Sequence, residues 1–301
     1  MNPELRIVVV GQSGPYAPPL LARLAATRGP WRVVGVVEGR RRQAGGPLHR
    51  TVLPRRDSGL SPQSLSAVAA ALELPTFQTR DINDSAAIRY LQTLDGDILL
   101  CAGFDRLFKP PVLESVSWGG LNLHPSALPE WRGPAPLFWA LREGRSSITV
   151  TVHRLEAGED NGEIYGSASF RRRPRMRGED LYRASIDCVF PIVVRTLRSV
   201  AAGALQGVPQ DDTQASRAPR PSPEDAYIDP NVWGCEQLTD FAVAATFFCA
   251  PWLQLGGERF WVRGAATPGP GESLPGHYAV VDDLLVVNCV DGLARLEVAR
   301  R

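Results

Sequence analysis

The apolar and polar positions divide the chain into alternating segments of two kinds. Uninterrupted apolar runs at LRIVVVG, WRVVGVV, GDILLCAGF and GLNLHP read as strands buried on both faces, with PTFQT as a shorter one. Between them, PLLARLAATRG, PQSLSAVAAALEL and NDSAAIRYLQTL repeat their apolar residues at helical spacing. Gly29 is placed to close the first helix, and Ser61 with Pro62 to open the second as N-cap and first helical residue. This alternation predicts an α/β domain with a doubly wound parallel sheet. The strands SSITVTVHRL and IYGSASF follow, separated by the turn-rich EAGEDNGE, and then an amphipathic helix from about Glu179 to Ala202.

Two stretches break the pattern. Residues 38–61 are polar, glycine-rich and basic, which predicts a long mobile loop. QGVPQDDTQASRAPRPSPED is rich in proline, serine and alanine and suits an interdomain linker. Beyond it come one helix around GCEQLTDFAVAATFF and the short β segments ERFWVRG, HYAVV, LLVVNCV and LARLEVA, the spacing of a small β-barrel. For 301 residues two domains are expected. The division predicted is a first domain over 1–205, a linker over 206–223 and a C-terminal domain over 224–301.

Composition narrows the class. With 44% hydrophobic and 22% charged residues the chain reads as an ordinary globular protein. No signal peptide is evident in MNPELRIVVVG, and FAVAATFFCAPWLQL is too short for a bilayer and interrupted by Pro251, so no membrane partner is expected. Cys101, Cys188, Cys235, Cys249 and Cys289 stand singly in apolar contexts, which predicts neither disulfides nor a metal site and favours a cytoplasmic location. The net charge of +1 hides an asymmetry: from Asp211 onward seven arginines face thirteen acids, leaving 26 basic and 19 acidic residues before it. Such an acidic tail is a poor platform for a polyphosphate backbone.

Candidate chemistry concentrates in LNLHPSALPEWRGPAPLFWAL, residues 121–141. Side chains at i and i+2 of a strand share a face about 6.6 Å apart, so Asn122 and His124 point together at the strand's C-terminal end, where Pro125 stops the ladder. Ligands bind at that end of open parallel sheets. Downstream, TVHRLEAGEDNGEIY presents Asp160 in a loop, and a carboxylate beside an imidazole suits general acid/base work. A carboxamide plus an imidazole offers donors to an oxyanion, and no nucleophile elbow is present, so direct acyl transfer to an amine is the chemistry that fits. His153, on an alternating apolar strand, is read as structural. GQSGPY after the first strand lacks the three-glycine fingerprint and is read as a tight turn rather than a nicotinamide site.

NLHPSALPEWRGPAPLFWAL followed by TVHRLEAGEDNGEI resembles the folate-dependent formyltransferase family, whose hallmark is N-x-H-P-S-x-L-P and then a D-x-G segment. The resemblance covers about residues 5–205 and implies a Rossmann-like catalytic domain. The tail is more faintly similar to the OB-fold-like C-terminal domain of the methionyl-tRNA branch. It implies N10-formyltetrahydrofolate as co-substrate, no metal, and attack of an amine on the formyl carbon through a tetrahedral intermediate. Asn122 and His124 would stabilise its oxyanion, while Asp160 holds the imidazole and helps relay the amine's proton. It also implies a cis peptide at Leu128-Pro129. CAGFDRLF is similar to the family's pterin-holding segment, which makes Gly103, Phe104 and Leu107 donor-site candidates, with the loop from Glu156 to Asn161 closing on the ring's other side. The chain departs from the family's usual residues at Ala127, commonly Leu, and Asn161, commonly Thr or Gly. The acidic tail favours a small-molecule amine as acceptor, an amino sugar nucleotide or an amino-acid-derived amine. The basic loop favours the alternative, methionyl-tRNA. A hydrolase using water, or a non-catalytic folate binder, completes the alternatives, and the oligomeric state is left open.

Overall fold

The computed structural model describes residues 4–40, 64–265, 274–281 and 283–300. Its first strand, β1 (Leu5–Gln12), shows why the apolar runs become central strands. Ile7 and Val9 enter one hydrophobic cluster, with α1 (Ala17–Ala26), while Val8 and Val10 enter another on the opposite face. The chain continues through β2 (Trp31–Gly39), α2 (Leu65–Ala71), β3 (Thr76–Thr79), α3 (Ser85–Thr93), β4 (Ile98–Ala102), α4 (Pro110–Leu113) and β5 (Gly120–His124). Strands β1 to β5 are parallel, in the order β3-β2-β1-β4-β5. The order reverses between β1 and β4, which opens a crevice at their C-terminal ends.

The sheet is mostly parallel, as expected, but it ends differently. After α5 (Pro136–Arg142), β6 (Ser147–Arg154) and β7 (Ile164–Arg171) join antiparallel. The cause is where α5 packs. Its Leu137, Phe138 and Leu141 belong to a core shared with the C-terminal sheet, so the helix does not cross the first sheet as a parallel connection requires. The long α6 (Gly178–Ala201) covers the sheet with Ile186, Val189, Val193 and Leu197.

Beyond it, α7 (Cys235–Ala245) packs on a five-stranded antiparallel sheet, the C-terminal β domain. Its strands are β8 (Trp252–Leu255), β9 (Glu258–Ala265), β10 (Tyr278–Val281), β11 (Leu284–Cys289) and β12 (Gly292–Arg300), in the order β10-β11-β12-β9-β8. The apolar pattern left β8 inside a longer run.

Two cap assignments change. α1 ends at Thr27, whose N–H donates to the Leu24 carbonyl at 3.2 Å, two residues before Gly29. Gly29 serves close approach instead, because a Cβ there would lie 2.3 Å from the Trp31 ring. Ser64, not Ser61, caps α2, its hydroxyl accepting from the Ala67 N–H at 3.2 Å. Ser61 and Pro62 lie outside the described residues, as does the basic loop from residue 41 onward, while Glu38 and Gly39 belong to β2. The Leu128-Pro129 peptide is cis.

Candidate active site

The site grows from the end of β5. Asn122 and His124 share a face, and the antiparallel register with β6 sets His153 directly opposite Asn122. The loop after β6 then carries Asp160 into the same space. His153 and His124 are almost completely buried, Asp160 largely so.

Asp160 is the hub. Its Oδ1 accepts from the Asn122 amide at 3.2 Å and lies 3.4 Å from His153 Nε2. Its Oδ2 accepts from the Gly133 N–H at 2.8 Å and lies 3.5 Å from His124 Nδ1. Burial works to raise this carboxyl's pKa but is outweighed by the two imidazoles and the Gly133 amide, so it is held well below the usual carboxylate range. Burial pushes the His124 pKa down, against the opposing pull of the Asp160 carboxylate.

Carbonyl partners fix the tautomers. His124 Nε2 lies 2.8 Å from the Trp131 carbonyl, and His153 Nδ1 lies 2.8 Å from the Arg154 carbonyl. A carbonyl only accepts, so each of these nitrogens carries a hydrogen. His153 Nε2 lies 3.1 Å from the Asn122 amide nitrogen and 3.4 Å from Asp160 Oδ1. His124 Nδ1 is left as a bare lone pair facing the cleft and Asp160.

The cleft above this cluster has a volume of about 430 Å³. Gly103, Phe104, Leu107 and Glu156 line it, so the structure brings them together with the trio. Asn161 does not: its side chain is exposed, outside the lining, and packs on Gly158. Three contributions were not visible in the sequence. The strand pattern reads His153 as structural, and the structure sets it against both Asn122 and Asp160. Gly133 supplies an N–H from the turn after β5. Arg217 and Arg220 reach the cleft mouth from the stretch expected to be linker, where they pair with Glu159 at 2.8 Å and Asp105 at 3.6 Å. The antiparallel register would have located His153. Nothing in the composition of residues 206–223 indicates contact with the site.

Comparison with known proteins identifies the architecture. Residues 48–187 match the family described as Formyl transferase. Along 301 aligned residues the chain is 30% identical to methionyl-tRNA formyltransferase of Pseudomonas putida, covering 97% of this chain and 91% of that protein. The chain belongs to the formyl transferase family.

A second such relative, from Chlorobium chlorochromatii, is 31% identical over 218 residues, which cover 72% of this chain and 65% of that protein. Among solved structures, the N-formyltransferase of Helicobacter canadensis, in complex with folinic acid and dTDP-3-aminofucose, superposes with a TM-score of 0.64. Its identity is 15%, with 99% of this chain and 100% of that chain covered, so the likeness is one of fold. Among the described residues of this formyl transferase no His, Cys, Asp and Glu cluster suits a metal ion, and no helix is long and apolar enough to cross a membrane.

Proposed function

We propose that this formyl transferase moves a formyl group from N10-formyltetrahydrofolate to the amine of a small acceptor. The observation that carries the reading is the convergence of Asn122, His124 and Asp160 from β5 and the β6–β7 loop on one point of the cleft floor. The cleft suits a flat heteroaromatic donor: Phe104, Leu107 and Leu155 supply apolar walls, and Gly103 (φ +69°) allows the backbone to turn at the cleft wall. When bound, the donor supplies an electrophilic formyl carbon.

The chain's own groups then divide the work. The Asn122 N–H now given to Asp160 is the donor for charge developing on the formyl oxygen. His124 Nδ1, kept unprotonated by burial, accepts the proton that the amine loses. Asp160, 3.5 Å away, stabilises the resulting imidazolium. Burial pushes the Cys101 thiol far up, which disfavours a thiolate beside the cleft and fits direct attack by the amine.

For the acceptor, the charges at the cleft mouth favour a small molecule. Arg217 and Arg220 are offset by Glu159 and Asp105, and the chain from Asp211 onward is acidic, so these two arginines of the cleft mouth are already paired rather than open to a polyphosphate backbone. The second reading, methionyl-tRNA, is favoured by the near full-length match to the Pseudomonas putida enzyme. The test is formyl transfer from N10-formyltetrahydrofolate to a panel of amines, including aminoacylated initiator tRNA and a control without amine. Turnover with small amines only is the expected result. Transfer to the tRNA alone overturns the small-acceptor reading, and formate release without amine marks a hydrolase.

A further inference from the structure

The segment from Gln210 to Ala218 was expected to be connecting chain, yet it is bonded into the site. Gln210 uses its amide fully. Its Nε2 donates to the carbonyls of Asp160 at 2.8 Å and Gly162 at 2.7 Å. Its Oε1 accepts from Arg132 Nε at 3.0 Å and Nη2 at 2.8 Å. A few residues later the Ser216 hydroxyl accepts from the Trp131 N–H at 2.9 Å, and Ser216 and Ala218 exchange backbone hydrogen bonds with Arg132 and Ala135.

Two of the residues contacted are held in an uncommon backbone conformation. Asp160 has φ +50° and Trp131 has φ +55°, the left-handed region that side chains with a Cβ avoid. Both conformations matter to the cluster: one aims the hub carboxylate, and the other aims the carbonyl that takes the His124 Nε2 hydrogen. Such conformations persist where the surroundings over-determine them. The segment from Gln210 to Ala218 contacts both, through Gln210 at Asp160 and Ser216 at Trp131.

We infer that Gln210 is a positioning residue for formyl transfer: its amide ties the backbone of the Asp160–Gly162 loop to the Arg132 guanidinium and so sets the distance between carboxylate and imidazole. The inference rests on the formyl-transfer reading for its catalytic consequence, and on the hydrogen bonds above for its structural one.

Two variants separate the faces of the clamp. Gln210→Met keeps the length and loses both faces. Gln210→Glu keeps the acceptor for Arg132 and loses the donor to the Asp160 and Gly162 carbonyls. Each is compared with the wild type for kcat and KM with N10-formyltetrahydrofolate and the best amine found, for thermal midpoint, and for the Asp160 carboxyl titration by carbon-13 NMR. The expected result is a kcat lowered at least tenfold in both, KM for each substrate within threefold, and an Asp160 carboxyl that titrates closer to the ordinary carboxylate range. A Gln210→Glu variant with wild-type kcat and titration overturns the inference, because the Arg132 contact would then suffice. If the wild type transfers no formyl group, the function reading fails. The clamp is then judged by the titration of Gln210→Met, which adds no charge: an unmoved Asp160 refutes it, and a moved one upholds it. Should one variant not fold, the other carries the same comparison.

Discussion

His124 donates from Nε2 to the Trp131 carbonyl, so the only nitrogen it can offer a substrate is Nδ1, and that nitrogen already faces Asp160. This sets the pH behaviour. In the proposed mechanism catalysis needs Nδ1 unprotonated, and burial lowers the His124 pKa, so kcat is expected to fall on acidification only below the ordinary histidine value of about 6.5. The Asp160 carboxylate opposes that lowering. Asp160→Asn removes the opposition, so the acid limb moves to still lower pH, while kcat drops by about 10²–10⁴-fold for lack of a partner to the imidazolium. A pH–rate profile whose acid limb stays put in that variant shows the two groups to be uncoupled. In the proposed mechanism Asn122 acts on a different charge. Asn122→Ala lowers kcat by about 10²–10³-fold with little change in donor affinity, read by single-turnover kinetics. A near-normal rate removes Asn122 from the mechanism.

At the scale of elements, the site is a product of register and turns. The i, i+2 rule was enough to place Asn122 and His124 on one face of a strand ending at Pro125, and the loop carrying Asp160 was legible from its turn residues. His153 was not legible, because its role depends on β5 and β6 pairing antiparallel with Asn122 opposite it, and the β–α alternation pointed to parallel pairing. The bracing by residues 210–218 was hidden for a related reason: prolines, serines and alanines read as slack chain, and the partners of the Gln210 and Ser216 side chains lie 48 to 85 residues earlier. β8 went unseen because its apolar residues merge with those after α7. The turn after β5 supplies a direct test of this layer. Gly133 has φ +120°, and a Cβ there would lie 2.9 Å from the Ala218 carbonyl oxygen, while its N–H holds Asp160. Gly133→Ala destabilises the fold by about 1–3 kcal/mol, read by denaturant titration, and lowers kcat through the displaced carboxylate. An unchanged midpoint would show that turn and segment relax apart without cost.

Over the whole molecule, the two sheets are joined by one core rather than by a hinge. Phe138 of α5 and Phe241 of α7 are both fully buried, with ring centroids 5.6 Å apart. Around them Leu141, Ile148 and Leu181 from the first sheet's side meet Leu253, Phe260, Leu285 and Leu296 from the second. Beside this apolar contact Arg172 and Asp240 form a buried ion pair across the same junction, so separating the sheets would expose both apolar surface and two paired charges. α5 starts three residues after Gly133, which ties the rigidity of the junction to that of the site turn. Unfolding is therefore expected to be a single transition. Tryptophan fluorescence samples both halves, through Trp31 and Trp118 on one side and Trp233, Trp252 and Trp261 on the other, and should coincide with the loss of secondary structure by circular dichroism. Phe241→Ala, which empties the middle of the junction, lowers stability by about 3–5 kcal/mol while keeping the two probes coincident. If instead the signals separate in the wild type, or Phe241→Ala unfolds the C-terminal sheet and leaves formyl transfer intact, the shared core does not couple the halves, and the site's rigidity has to come from the first sheet and the Gln210 segment.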